Sequence, residues 1–209
     1  MKIPWYFTCL GIALWLSACQ AAAPPAASAP LNYPGDLREP GSFGPNFQWR
    51  QRITANWATG TRSFEAVLAK DGNELQLVGL SPMGMPGFVL RLSGRNLQVE
   101  NNTQQAIPFD PRNVLLDVQR TFFPWFKARG PQAGTRRVQA AEEEVQETWA
   151  HGQLVERRFR RLDGKPAGEI VVEYGPWPAN ADAPSRAKLQ NNWFGYSLTI
   201  ETLEQQRLP

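Results

Sequence analysis

Thiol and imidazole chemistry have little material in this chain: its 209 residues hold two cysteines, Cys9 and Cys19, and one histidine, His151. Both cysteines lie in the first nineteen residues, so the remainder has no thiol for a disulfide, a cysteine nucleophile or a thiolate metal site. His151 sits beside Gly152, which suits a surface turn, and it has no second histidine to share a metal with. No Gly-x-Ser-x-Gly elbow and no glycine-rich phosphate loop occurs. Asp71, Asp110 and Asp163 fall at expected turns or a helix start, where bonding to the backbone explains them. A pair of carboxylates brought together by the fold stays open as an alternative, though nothing in the sequence argues for one. The expectation is therefore a protein without catalysis, cofactor or metal. Charge of one sign is scarce too. Lys and Arg number 22 against 19 Asp and Glu, a net charge of +3, too small to argue for nucleic acid.

Long apolar runs are also lacking, with one short exception at the start. Trp5 to Leu16 is almost wholly apolar after Met1-Lys2. That falls short of the roughly 20 residues a membrane-spanning helix needs and fits the apolar core of a secretory signal. It ends in Leu16-Ser17-Ala18-Cys19, which looks like a bacterial lipobox. Cleavage before Cys19 would remove residues 1–18 and Lys2 with them, taking the net charge from +3 to +2. Cys19 would carry a diacylglycerol and an acylated amino terminus; several chains together anchor durably, at about 0.8 kcal/mol per buried methylene. The resemblance to lipoproteins of enterobacterial type implies, with Gln20 where an aspartate would retain the protein in the inner membrane, sorting to the outer membrane with the body facing the periplasm.

Residues 19–46 then read as a lipidated cysteine and a tether, rich first in Ala and Pro and later in Gly and Pro. Residues 47–209 suit one domain. From Phe47 to Trp57 apolar and polar residues alternate, the mark of a half-buried antiparallel strand. Similar runs occur at Phe64–Leu68, Leu75–Leu80, Phe88–Leu92 and Leu97–Glu100. Asp110-Pro111 is a cap followed by a favoured first helical residue, and Val114, Leu115, Val118 and Phe122 recur at helical spacing, which predicts a helix over 111–123. Glu142-Glu143-Glu144 reads as a solvated loop or strand edge. Strands resume at Val145–Ala150, Leu154–Leu162, Gly168–Tyr174, Ala187–Gln190 and Trp193–Leu203. The arginines around Phe159 read as a solvated edge strand, with contact to anionic head groups as the alternative. The whole predicts a mainly β (α+β) fold: a long, strongly curved antiparallel sheet or incomplete barrel, with the helix over its apolar concave face. Pro82-Met83-Gly84-Met85-Pro86-Gly87 joins two strands yet holds two methionines and no charge, which suits contact with varied apolar partners or a plug in the core.

The segment Leu75-Gln76-Leu77-Val78-Gly79-Leu80-Ser81-Pro82-Met83-Gly84, with Phe88–Leu92 and Leu97–Glu100, resembles the outer-membrane lipoprotein-insertion factor LolB, with Met83 where LolB carries a protruding leucine. A nearer resemblance, carried by the loop Gly79-Leu80-Ser81-Pro82-Met83-Gly84 and by Gly195-Tyr196-Ser197-Leu198-Thr199-Ile200-Glu201-Thr202-Leu203, is to an uncharacterised family of bacterial lipoproteins similar to LolB. The resemblance implies an incomplete barrel of LolB/LolA type, and a body that binds, accepts or inserts acyl chains of a lipoprotein or an aryl-polyene-type lipid. Cargo would arrive from a LolA-like periplasmic carrier. On that reading Met83 and Met85 touch the membrane, while Trp49, Ile53, Leu77, Leu90, Val118 and Phe122 line the lipid groove. The alternative is a structural lipoprotein that docks an envelope partner through a sheet edge or the arginine strand.

Overall fold

A computed structural model describes residues 33–103, 107, 109–127, 130 and 132–209. Eleven strands form the frame: β1 Phe47–Trp57, β2 Gly60–Asp71, β3 Glu74–Leu80, β4 Pro86–Ser93, β5 Asn96–Asn101, β6 Gly134–Ala140, β7 Glu143–Ala150, β8 Gln153–Arg161, β9 Glu169–Tyr174, β10 Arg186–Asn191 and β11 Tyr196–Arg207. Among the described residues one α-helix, α1, spans Pro111–Phe122 between β5 and β6. The strands make a single antiparallel sheet in the order β5-β4-β3-β2-β1-β11-β10-β9-β8-β7-β6. Two meanders are thus joined through the first and last strands, with Ile53 opposite Ile200 in the register. The expected mainly β fold, with one helix on a curved antiparallel sheet, is what forms.

Alternation decides which side of the sheet is buried. On β1, Phe47, Trp49, Gln51 and Ile53 turn inward while Gln48, Arg50 and Arg52 face solvent. Helix α1 begins where its capping chemistry predicts: Asp110 accepts backbone N–H bonds from Arg112 at 2.8 Å and Asn113 at 3.4 Å, and Pro111 takes the first position. It ends at buried Phe123, ahead of Pro124. Leu115 and Val118 pack with residues of β1 to β4, whereas Leu116 packs with residues of β7 to β10. A single helix reaches strands that far apart only because the sheet curls around it.

Three local expectations change. The tether was expected to run to residue 46, yet from Tyr33 onward the chain lies on the body, with Tyr33 and Phe43 buried in the two halves of the core. The strap from Tyr33 to Phe43 is held along α1: Gln119 accepts from the Arg38 backbone N–H and donates to its carbonyl, each at 2.8 Å. Long-range bonds thus order a stretch that has no periodicity to announce it. Glu143 was expected in a solvated loop or at a strand edge. It opens β7, and its side chain is buried 2.7 Å from the Arg120 guanidinium. The arginine strand was expected at an edge. It is β8, third from the end of the sheet, and buried Arg157 holds Glu147. The edge on that side is β6, whose Gly-Thr-Arg-Arg-Val-Gln-Ala has almost no apolar alternation to signal a strand.

Candidate functional site

The six residues expected to line a groove come together. Trp49 and Ile53 from β1, Leu77 from β3, Leu90 from β4, and Val118 and Phe122 from α1 belong to one apolar cluster between helix and sheet. The Trp49 and Phe122 rings meet edge to face with centroids 5.3 Å apart. Apart from half-buried Phe122 all six are buried, so the helix closes over them. Two donors beneath it, Trp49 Nε1 and Gln51 Nε2, have no acceptor among the described residues. Each such buried donor costs about 1–3 kcal/mol.

The other flank of α1 is polar and no less buried. Asp117 accepts hydrogen bonds from the Tyr33 and Tyr196 hydroxyls, and Asn191 Nδ2 donates to both of those hydroxyls at 2.9 Å. Burial pushes the Asp117 carboxyl up, although Arg120 and the two hydroxyls pull the other way. Burial, then the neighbouring Asp117 charge, raises Tyr33 and Tyr196 well above the usual phenol range. Arg120 donates to the Pro34 carbonyl and to Glu143, both at 2.7 Å, and its guanidinium lies 4.9 Å from the Tyr33 ring centre and 5.1 Å from that of Trp193. Burial opposes the charge of Arg120, and Tyr33, Glu143 and Asp117 outweigh it. At the helix end, Arg157 donates to the carbonyls of Arg120 at 2.7 Å and Thr121 at 3.1 Å. The same guanidinium grips Glu147 at 2.7 and 3.0 Å. These groups fasten α1 to the sheet. No sequence pattern marks them, because each pair joins distant segments.

The methionine loop is on the surface. Met83 is 85% and Met85 63% exposed at the β3–β4 connection. The loop is held open by the Ser81 backbone N–H donating to the Met85 carbonyl at 2.8 Å and by Gly84 at φ +76°, a value that suits glycine. A core plug is thereby excluded. Sequence reasoning missed two companions. Trp57 ends β1, Leu162 follows β8, and both are exposed. By strand register, the β1–β2 turn, the β3–β4 loop and the segment after β8 all lie at one end of the sheet. Tyr33, where the described chain begins, stacks on Phe194 at that same end, between β10 and β11. Cys19, the expected lipidation site, lies outside the described residues.

At the other end of the sheet a cleft of about 480 Å³ opens beside the C-terminus of α1. Phe122, Phe126, Trp149 and Trp177 form its aromatic walls, and its lining also holds Lys127, Arg136 and Arg157 with one carboxylate, Glu147, which pairs with the two arginines. The Arg136 guanidinium lies 4.0 Å from the Phe126 ring centre and donates to Glu147 at 2.7 and 2.9 Å. Trp149 Nε1 reaches Glu147 at 3.2 Å and Trp177 Nε1 reaches the Leu154 carbonyl at 3.0 Å, so both indoles are fixed. Gly130 lies against the Trp149 ring, where a Cβ would come within 2.2 Å. His151 sits in the β7–β8 turn at φ +52°, exposed, as its place beside Gly152 predicts.

Solved structures with a similar arrangement include a LolA superfamily protein from Nitrosomonas europaea, 12% identical, with a TM-score of 0.46 over 82% of this chain and 90% of that one. A domain from Vibrio parahaemolyticus, described as an outer membrane lipoprotein-sorting protein, is 10% identical, with a TM-score of 0.45 over 78% of this chain and 85% of its own. A comparison with curated proteins finds no match. Residues 48–204, which span the sheet from β1 into β11, match one sequence family, and the chain belongs to it: the protein of unknown function family DUF3261.

Proposed function

We propose that this protein is a lipid-anchored envelope protein that binds, accepts or inserts an acyl chain between α1 and the concave face of its sheet, without catalysis. The observation that carries the reading is the helix–sheet sandwich itself: one short helix covers a continuous apolar cluster drawn from both ends of the chain. An acyl chain needs no more than such a surface, uncovered when α1 lifts. The unpaired donors Trp49 Nε1 and Gln51 Nε2 suit a ligand that brings a carbonyl oxygen, as an ester-linked chain does. The lipobox at Cys19 supplies the anchor and the outer membrane its place, with the body in the periplasm and a LolA-like carrier as the source of cargo. Met83, Met85, Trp57 and Leu162 form an apolar rim at the end of the sheet where Tyr33 lies, suited to rest on that membrane.

The full chain, purified in a mild nonionic detergent, is expected to carry extractable acyl lipid in stoichiometric amount. Met83→Glu is expected to keep its unfolding midpoint and to lose transfer of a labelled lipoprotein into vesicles. A chain free of lipid, or a Met83→Glu variant with full transfer, would refute the reading. Docking of an envelope partner is the second reading, and the open edges β5 and β6 favour it.

A further inference from the structure

We infer that the aromatic cleft beside the C-terminus of α1 is a binding site for the anionic head of a single-chain amphiphile. Its volume, about 480 Å³, lies in the range of small-molecule sites, roughly 300–1,000 Å³. Its walls carry two chemistries side by side. Phe122, Phe126, Trp149 and Trp177 offer apolar surface, while three cations against one carboxylate leave the lining with a formal excess of two positive charges. Glu147 already accepts from Arg157, Arg136 and Trp149, so it is saturated by donors and repels an incoming anion less than a free carboxylate would. Lys127 is exposed at the mouth and makes no ion pair among the described residues. An anionic ligand gains attraction to that charge that a neutral one lacks, and a cationic one would be repelled.

The site is preorganised. Both tryptophan N–H groups are engaged, Arg136 is held against Phe126, and Gly130 lets the chain lie flat on Trp149. A ligand therefore meets fixed walls and orders little on binding. Phe122 joins the cleft to the helix–sheet core. It lines this cleft and also touches Trp49 in the apolar cluster under α1. A head paired with Lys127 thus leaves its tail pointing along Phe122 toward that cluster. The inward path of the tail rests on the acyl-binding reading above; the choice of head does not.

Carboxylate and phosphate heads share the required chemistry, and the test separates them from a free anion. The full chain in nonionic detergent is irradiated with a diazirine-bearing twelve-carbon acid, the matching phosphate monoester and the matching alcohol, and labelled peptides are mapped by mass spectrometry. The acid and the ester are expected to label the peptides of Phe126 and Trp149 at least about tenfold more than the alcohol, as one charge-assisted bond allows. Lys127→Glu is expected to cut that labelling by a similar factor with an unchanged unfolding midpoint, and Trp177→Ala to weaken acid and alcohol alike. Equal labelling by acid and alcohol, an unaffected Lys127→Glu variant, or displacement of the acid by inorganic phosphate alone would overturn the inference. Labelling at Trp49 and Leu77 whatever the head would leave the acyl-binding reading standing and this one refuted; labelling of the cleft without those peptides would do the reverse.

Discussion

Truncating Glu147 should loosen the helix without touching it. Its carboxylate is buried and accepts five hydrogen bonds: two from Arg157, two from Arg136 and one from Trp149. Glu147→Ala leaves Arg157 buried with no carboxylate partner among the described residues, its charge met by the carbonyls of Arg120 and Thr121 and by the Tyr174 ring. Removing one partner of a buried ion pair costs about 3–5 kcal/mol, a large share of the roughly 5–15 kcal/mol that holds a domain folded. At about 2–4 °C per kcal/mol for a chain of this size, the melting temperature should fall by about 6–20 °C. Because Arg157 bonds the last carbonyls of α1, amide exchange in Leu115–Phe122 should accelerate more than exchange in β1 or β2. Glu147→Leu with Arg157→Met, which removes both charges, should recover most of the loss. Urea unfolding of the three variants provides the measurement. A loss below about 1 kcal/mol for Glu147→Ala, or a double variant worse than the single, would refute the idea that this pair fastens the helix.

Phe43→Ala should cost about 3–5 kcal/mol in urea unfolding, because the ring is buried with Phe47, Leu115 and Phe123; a change near zero would return the strap to the status of a tether. Asp110→Ala should cost about 1 kcal/mol through loss of the helix cap, with Asp110→Ser restoring most of it in the same assay. Asp117 has a folded pKa raised by burial above its unfolded value of about 3.9, so the folded chain keeps the proton longer. Its contribution to stability therefore declines as pH rises through the window between those two values, and Asp117→Asn should remove that decline. Unfolding midpoints of both proteins from about pH 3 to 7 check the sign; a difference between them that does not vary with pH refutes it.

The strands were legible where one face is apolar and the other wet. Phe47 to Trp57 shows the period on its own, and the Asp110-Pro111 start of α1 follows from capping chemistry. That the six cluster residues meet was legible for the same reason, since inward positions on neighbouring strands and on the apolar helix stripe come together. What the sequence hides is pairing at a distance. Arg120 with Glu143, Arg157 with Glu147, and Asp117 with Tyr33 and Tyr196 look like ordinary surface residues until the sheet closes around them. β6 escaped because an exposed edge strand needs no apolar face, and the strap because its order comes from α1 rather than from its own pattern. The cleft joins residues from Phe122 to Trp177, and no local motif spans that interval.

The strap changes how a load on the chain is shared. Arg112 donates to the carbonyls of Tyr33 and Gly35, Arg120 to that of Pro34, and Gln119 clasps Arg38, so the backbone of the first residues of the body is bonded to α1, while the Tyr33 side chain reaches Asn191 of β10. A pull on Tyr33 reaches the helix through Arg112 and Asp117. Tension applied at Tyr33 therefore works on the same element that covers the apolar face.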